Sequence, residues 1–358
     1  MKKLFTLCAL TISFNMNAQT GNTSTGTGSL GSLTSGGDYN VANGLESLPS
    51  NTTGDRNTAY GAYSMYTNVS GERNTAAGYH SLSLNVSGER NTAIGTYALY
   101  TNTGSRNTAL GYQTLYYNTG DYNLAGGYQS LFTNVSGDYN AAFGYQSLYS
   151  NTSGNYNSAI GKSALYSNTT GEFNVAIGNR AGYSLTTGSN NSLFGSYAYV
   201  GSSSGSNRTV IGYDTSGQAD NSVTLGNSDV TAIYMAEDSG ATIYAGNATF
   251  GGDVTISSDI RLKSNIVSLG STLSKLLLID GKSYTMNSDG KDKIGVLAQE
   301  VQEVFPELVG EDTEGMLTVN YQGLVPVLIN ALKEQESKII DQQTQIDELK
   351  ELVNKLID

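Results

Sequence analysis

Ser258 and Lys263 stand five residues apart in the stretch Ser257-Ser258-Asp259-Ile260-Arg261-Leu262-Lys263. A serine and a lysine can together hydrolyse a peptide bond without histidine. The lysine amine must lose its proton to act as base; its free pKa is about 10.4, and desolvation in an apolar pocket lowers it. The serine hydroxyl can then attack a carbonyl while backbone N–H groups hold the oxyanion. Taken alone, the pair also fits a helix N-cap serine beside a surface lysine. Other chemistries find less support. Cys8 is the only cysteine and His80 the only histidine, which excludes a cysteine/histidine zinc site. His80 lies inside a repeat, far from any special serine, which argues against a Ser-His-Asp triad. No metal or cofactor is expected. The net charge of −12 comes without a basic patch, so nucleic acid is not an expected partner, and anionic membrane surfaces are disfavoured.

The elements that must position this pair divide the chain. Residues 1–18 read as a signal peptide: Lys2 and Lys3, an apolar run from Leu4 to Phe14, and Asn17-Ala18-Gln19 as a small-residue cut site. The run falls short of the roughly 20 residues that cross a bilayer. A secreted or cell-surface location follows as the expectation, with no membrane span in the mature chain. Residues 19–37 read as a low-complexity linker.

From 38 to 226 the word Asn-x-Ala-apolar-Gly recurs, as in Asn91-Thr92-Ala93-Ile94-Gly95 and Asn174-Val175-Ala176-Ile177-Gly178, mostly at 16- or 17-residue spacing. Between words runs a second segment such as Tyr145-Gln146-Ser147-Leu148-Tyr149. Each unit is expected to give two strands of about five residues and two turns. Units this small bury their apolar face only by stacking, so the prediction is a β-solenoid with a narrow continuous core. The regular asparagines suit turn geometry and hydrogen-bonded ladders better than a ligand site. The tyrosines suit either packing or an aromatic face for a glycan or protein ligand. The array resembles the head repeats of trimeric autotransporter adhesins, which implies left-handed β-rolls bundled in threes.

Residues 227–257 read as a β-rich neck. Beyond it, the string from Ser258 to Ile266, then Ile294-Gly295-Val296-Leu297-Ala298-Gln299-Glu300, Phe305-Pro306-Glu307, Val319-Asn320-Tyr321, Pro326 and Lys333-Glu334-Gln335 closely resembles the intramolecular chaperone auto-processing domain of phage tail spikes and endosialidases. The resemblance covers 257–358, and the domain it implies runs over 258–358. It implies a trimerising α+β domain that assists folding of the fibre before it and then cuts itself off, with Ser258 as nucleophile and Lys263 as general base. The scissile bond would be Ser257–Ser258, and Asp259, Arg261 and Asn265 would position the loop. From about 325, Val325, Leu328, Leu332, Gln335, Ile339, Gln342, Ile346, Leu349, Val353 and Leu356 alternate steps of three and four, the a/d seam of a coiled coil. The chain as a whole is therefore expected to be mainly β, with a solenoid fibre, a small α+β domain and a terminal coiled-coil helix, assembled as a homotrimer. The expected function is a tail-fibre-like or adhesin-like surface protein with a self-cleaving chaperone. The alternative is a non-enzymatic adhesin whose C-terminal domain only clamps three chains. A glycan-degrading spike is disfavoured, because the acids of the repeats (Asp55, Glu72, Glu89, Asp121, Asp138) recur at one turn position instead of clustering.

Overall fold

The computed structural model describes residues 21–32, 36–233, 258–287, 290–312 and 314–357. The stretch read as a signal peptide, Ser257 and the expected neck beyond residue 233 lie outside these residues. The chain forms two compact units, one on each side of residues 242 and 243.

The N-terminal unit is a β-solenoid. Each coil contributes a short strand, such as Thr58–Tyr60, Thr75–Ala77, Thr92–Ile94, Ser158–Ile160 or Val175–Ile177. These strands pair in parallel, coil upon coil, into one 13-stranded sheet. The register places Ala59 on Ala76, Ala76 on Ala93 and Ala93 on Ala109. Successive side chains of a strand point to opposite faces, so the central alanine is buried while its two neighbours face outward. A second buried column faces the alanines: Leu48, Met65, Leu82, Leu99, Leu115, Leu131, Leu148 and Leu165. Alanine on one wall and leucine on the other fill a core too narrow for two large side chains.

The second segment of each repeat departs from expectation. It is a turn, not a strand. Gln146 and Leu148 have φ of 53° and 50°, and their equivalents in other coils, such as Tyr97 and Leu99 at 56° and 52°, do the same. A strand requires negative φ. The left-handed conformation costs an L-residue roughly 1–2 kcal/mol, and burying a leucine returns about 1.5–3 kcal/mol, so the turn persists. Among the described residues, Thr101–Asn102 and Tyr117–Asn118 pair as strands there, in parallel, and Tyr199 makes a parallel bridge to Ser216.

The array also starts earlier than the sequence pattern suggests. Thr23–Thr25, inside the stretch read as a linker, pairs with Val41–Asn43. The reason is legible in retrospect. Asn22 stands four before Gly26, the spacing of the repeat, with Ser24 in place of alanine. Asn22 Oδ1 accepts from the backbone N–H of Asn40 at 2.6 Å, as its counterparts do in later coils.

The C-terminal unit is a small α+β fold. Helix α1 (Leu273–Leu276) is followed by a hairpin of Lys282–Thr285 with Asp292–Gly295. Then come helix α2 (Ala298–Val304), a hairpin of Val309–Glu311 with Leu317–Val319, and helix α3 (Leu324–Ile357). Val301, Phe305 and Val327 form the buried centre, with Leu276, Ile279, Val296, Val304, Leu308, Val309 and Val319 packed around it. Pro306 opens a single 3₁₀ turn after α2. Pro326 sits in the first turn of α3, where its missing N–H has no intrahelical acceptor to lose. Every described residue of α3 from 335 onward is exposed, including the seam residues Ile339, Ile346, Leu349 and Val353.

Candidate active site

Asp259 starts the local structure. Its side chain accepts from the backbone N–H of Arg261 at 2.8 Å and caps a single 3₁₀ turn, Ile260–Leu262. Short polar side chains at such a cap satisfy donors the turn leaves open. Arg261 then closes a fork on the same carboxylate, with Nε to Oδ1 at 3.0 Å and Nη2 to Oδ2 at 2.8 Å. The Arg261 hydrogen bonds hold the Asp259 carboxyl below the usual range. Lys263 ends the turn, its N–H returning to the Ile260 carbonyl at 3.1 Å.

This one turn folds the chain back far enough for the two ends of the motif to meet. Lys263 Nζ lies 2.6 Å from Ser258 Oγ. That separation is within reach for proton transfer between a hydroxyl and an amine. Asn265, at φ 54°, reverses the chain immediately afterwards; asparagine tolerates this conformation better than most residues. The structure thus brings Ser258, Asp259, Arg261 and Lys263 into one turn and gives Asn265 a backbone role beside it. Ser257 lies outside the described residues.

Among the described residues, nothing covers the pair. Residues 258–270 are exposed throughout, and the apolar side chains among them lie open: Ile260 is 71% exposed, Leu262 70% and Val267 83%. Among the described residues, 258–269 make no hydrogen bond that reaches past Gly270. The first ties to the rest of the unit come at 270–273. Asn330 on α3 donates to the Gly270 carbonyl at 3.2 Å, and Ser271 Oγ donates to Glu334 at 2.7 Å. In the sequence Glu334 passes for a charge flanking the seam; no local spacing connects it to residue 271.

The solenoid holds its asparagines for its own use. In each coil the word asparagine accepts a backbone N–H from the next coil, as Asn57 Oδ1 does from Asn74 at 3.0 Å, and donates to a glycine carbonyl, as Asn57 Nδ2 does to Gly71 at 2.8 Å. The aromatic residues form columns too. Tyr122, Tyr139, Tyr156 and Phe173 stack face to face at 4.7–5.0 Å, and so do Tyr112, Tyr128 and Tyr145 at 5.0–5.4 Å. Arg106 lies over the Tyr122 face at 5.0 Å and Lys162 over the Tyr145 face at 5.8 Å. Within these columns ring faces are taken by neighbouring rings or cations. His80 is one such ring, stacked between Tyr63 and Tyr97, and burial lowers its pKa. No group of three metal-ligating side chains occurs among the described residues, and no helix among them is long and apolar enough to cross a membrane.

Comparison with known proteins bears on the C-terminal unit. Residues 258–310 match the family model described as chaperone of endosialidase, a family of self-cleaving peptidases. The match begins at Ser258 and includes Lys263. No curated protein matches the chain.

Proposed function

We propose that this chain is an exported, homotrimeric fibre of the tail-fibre or adhesin kind, whose C-terminal unit serves as trimerisation chaperone and cuts the chain once, between Ser257 and Ser258. The observation that carries the reading is the 2.6 Å approach of Lys263 Nζ to Ser258 Oγ inside the segment matched by a self-cleaving chaperone family.

The chemistry balances as a single hydrolysis. Neutral Lys263 takes the Ser258 hydroxyl proton as Oγ bonds to the carbonyl carbon of residue 257. The C–N bond breaks, and the proton passes from Lys263 to the departing amino group of Ser258. Water then splits the resulting ester, leaving a carboxylate on 257 and restoring the Ser258 hydroxyl. An amine becomes a base of this kind only where water is excluded. The exposed motif and the exposed seam of α3 support a site completed by neighbouring chains, so that cutting waits for assembly. Asp259, Arg261 and Asn265 hold the turn. A cell-surface glycan or protein is the proposed ligand of the solenoid, met by ring edges and phenol hydroxyls.

The test is the intact mass of the purified wild-type protein beside a Ser258→Ala variant. A new N-terminus at Ser258, present in the wild type and absent from the variant, is the expected result. An uncut wild-type trimer would replace this reading with that of an adhesin whose C-terminal unit is only a clamp.

A further inference from the structure

The cleavage motif is tied to the coiled-coil helix at one place, and that tie is built around a single carboxylate. Glu334 lies on α3, outside the matched segment, next to the seam residue Gln335. Its Oε2 accepts from Ser271 Oγ at 2.7 Å. Its Oε1 accepts from the backbone N–H of Thr272, from the Leu273 N–H at 3.3 Å and from Thr272 Oγ1 at 3.4 Å. Thr272 is fully buried, and its single hydroxyl proton is shared between Glu334 and the Val327 carbonyl, the latter nearer at 3.1 Å. Asn330, one turn before Glu334, holds Gly270.

One face of α3 therefore grips residues 270–273, while residues 258–269 hang from that grip with no other hydrogen-bonded hold among the described residues. Only seven positions separate Lys263 from Gly270. Whatever fixes α3 in an assembly fixes the end of this tether. A carboxylate receiving several N–H and O–H donors is a stiff anchor, because charge-assisted hydrogen bonds are roughly twice as strong as neutral ones.

We infer that Glu334 is a positioning residue for self-cleavage: it transmits the placement of α3 to the Ser258–Lys263 pair by clamping residues 271–273. It touches neither reacting atom. The inference rests on the proposed self-cleavage, and its test separates the two.

The experiment compares self-cleavage rates of the full chain as wild type, Glu334→Ala, Glu334→Gln and the double variant Ser271→Ala/Asn330→Ala, with oligomeric state and melting temperature recorded for each. Misplacing reacting groups by an ångström can cost about 100-fold in rate, and a loss of that order is expected for Glu334→Ala while the trimer persists. Glu334→Gln keeps an acceptor at Oε1 and an amide that can donate to Ser271, so it restores most of the rate. A role in stability alone would move melting without this rescue. Should Glu334→Ala fail to assemble, the double variant decides, since it loosens the clamp from its surface side; a wild-type rate there overturns the inference. A wild-type chain that never cuts removes the proposed function and the inference together. A wild type that cuts, beside a Glu334→Ala trimer that cuts as fast, removes the inference alone.

Discussion

Asn85 Nδ2 donates to Asn68 Oδ1 at 3.0 Å, one coil away, and Asn68 repeats the bond to Asn51 at 2.9 Å. This second ladder runs on through Asn102, Asn118, Asn134 and Asn151 to Asn168. There it stops, because the next coil has Leu185 at the corresponding place and the buried Asn168 Oδ1 has no partner. The ladder explains why asparagine, and no isostere, recurs: one amide serves a coil on each side.

Replacing Asn118 by alanine strands the groups it serves. Its Nδ2 donates to Asn102 and its Oδ1 accepts from Asn134 at 2.7 Å. An unsatisfied buried group costs about 1–3 kcal/mol, so Asn118→Ala lowers stability by at least that much. The urea midpoint of the solenoid measures it. A midpoint equal to wild type would mean that water replaces the ladder freely.

Gly144 has φ of 135°, and a Cβ placed on it would come within 2.5 Å of the Gly161 carbonyl oxygen. The three nearest atoms, Gly161 O and C and Lys162 N, are all backbone, with no flexible side chain to give way. Gly144→Ala is expected to push adjacent coils apart and to lower the melting temperature more than a surface substitution such as Thr152→Ala. Equal melting of the two variants would show that the coils can separate at little cost.

Arg208 takes the place of the word asparagine, the residue four before the glycine, near the C-terminal end of the array. Its guanidinium is buried, donating to the Val200 carbonyl at 2.7 Å and to Asp220 at 2.9 and 2.7 Å. The Ser206 N–H and the Arg208 guanidinium lower the Asp220 pKa. A carboxyl whose folded pKa lies below its unfolded value adds stability above the unfolded pKa, about 3.9, and loses it as pH falls through the folded pKa. Wild type should therefore lose more stability than Asp220→Asn between neutral pH and the acid range. Parallel losses in the two proteins would show that Asp220 contributes nothing.

Leu349 is 59% exposed on α3, amid Ile346, Val353 and other seam residues. Leu349→Asp places a charge where the helices of the proposed trimer would bury it, so that assembly should dissociate in light scattering at micromolar concentration. Self-cleavage should fall with it. A Leu349→Asp monomer that cuts itself at the full rate would sever the link between assembly and chemistry.

Much of this was legible in the residues. The word Asn-x-Ala-apolar-Gly announces coils, because each of its positions meets a distinct physical need. The asparagine builds the ladder, the alanine points inward, the apolar residue points outward and the glycine lets two backbones approach. The Ser258–Lys263 pair stands out only through the resemblance of its surroundings to a self-cleaving family, since alone it fits an N-cap serine beside a surface lysine equally well; Asp259 and Arg261 are local partners in the turn between them. Two things were not legible. The left-handed leucines read as strand residues, because burial overrides a local backbone preference that a sequence window cannot weigh. Glu334 reads as a charge flanking the seam, because its partners lie 61 to 63 positions away and nothing local marks the encounter.

The asparagine ladder has a direction. Every word amide offers its oxygen toward the C-terminal neighbour and receives that neighbour's N–H, and Arg208 closes the series by donating its own backbone N–H to Asn191 at 3.1 Å. The two ends of the array are thus unlike, whereas its interior coils are interchangeable. Excising residues 141–157, one coil, would join Asn140 to the chain that now follows Asn157 and leave the pattern continuous. The fibre would shorten by about 4.8 Å, the spacing of adjacent strands. Reach and fold are separate variables in such an array, whose length can change coil by coil without a new structure.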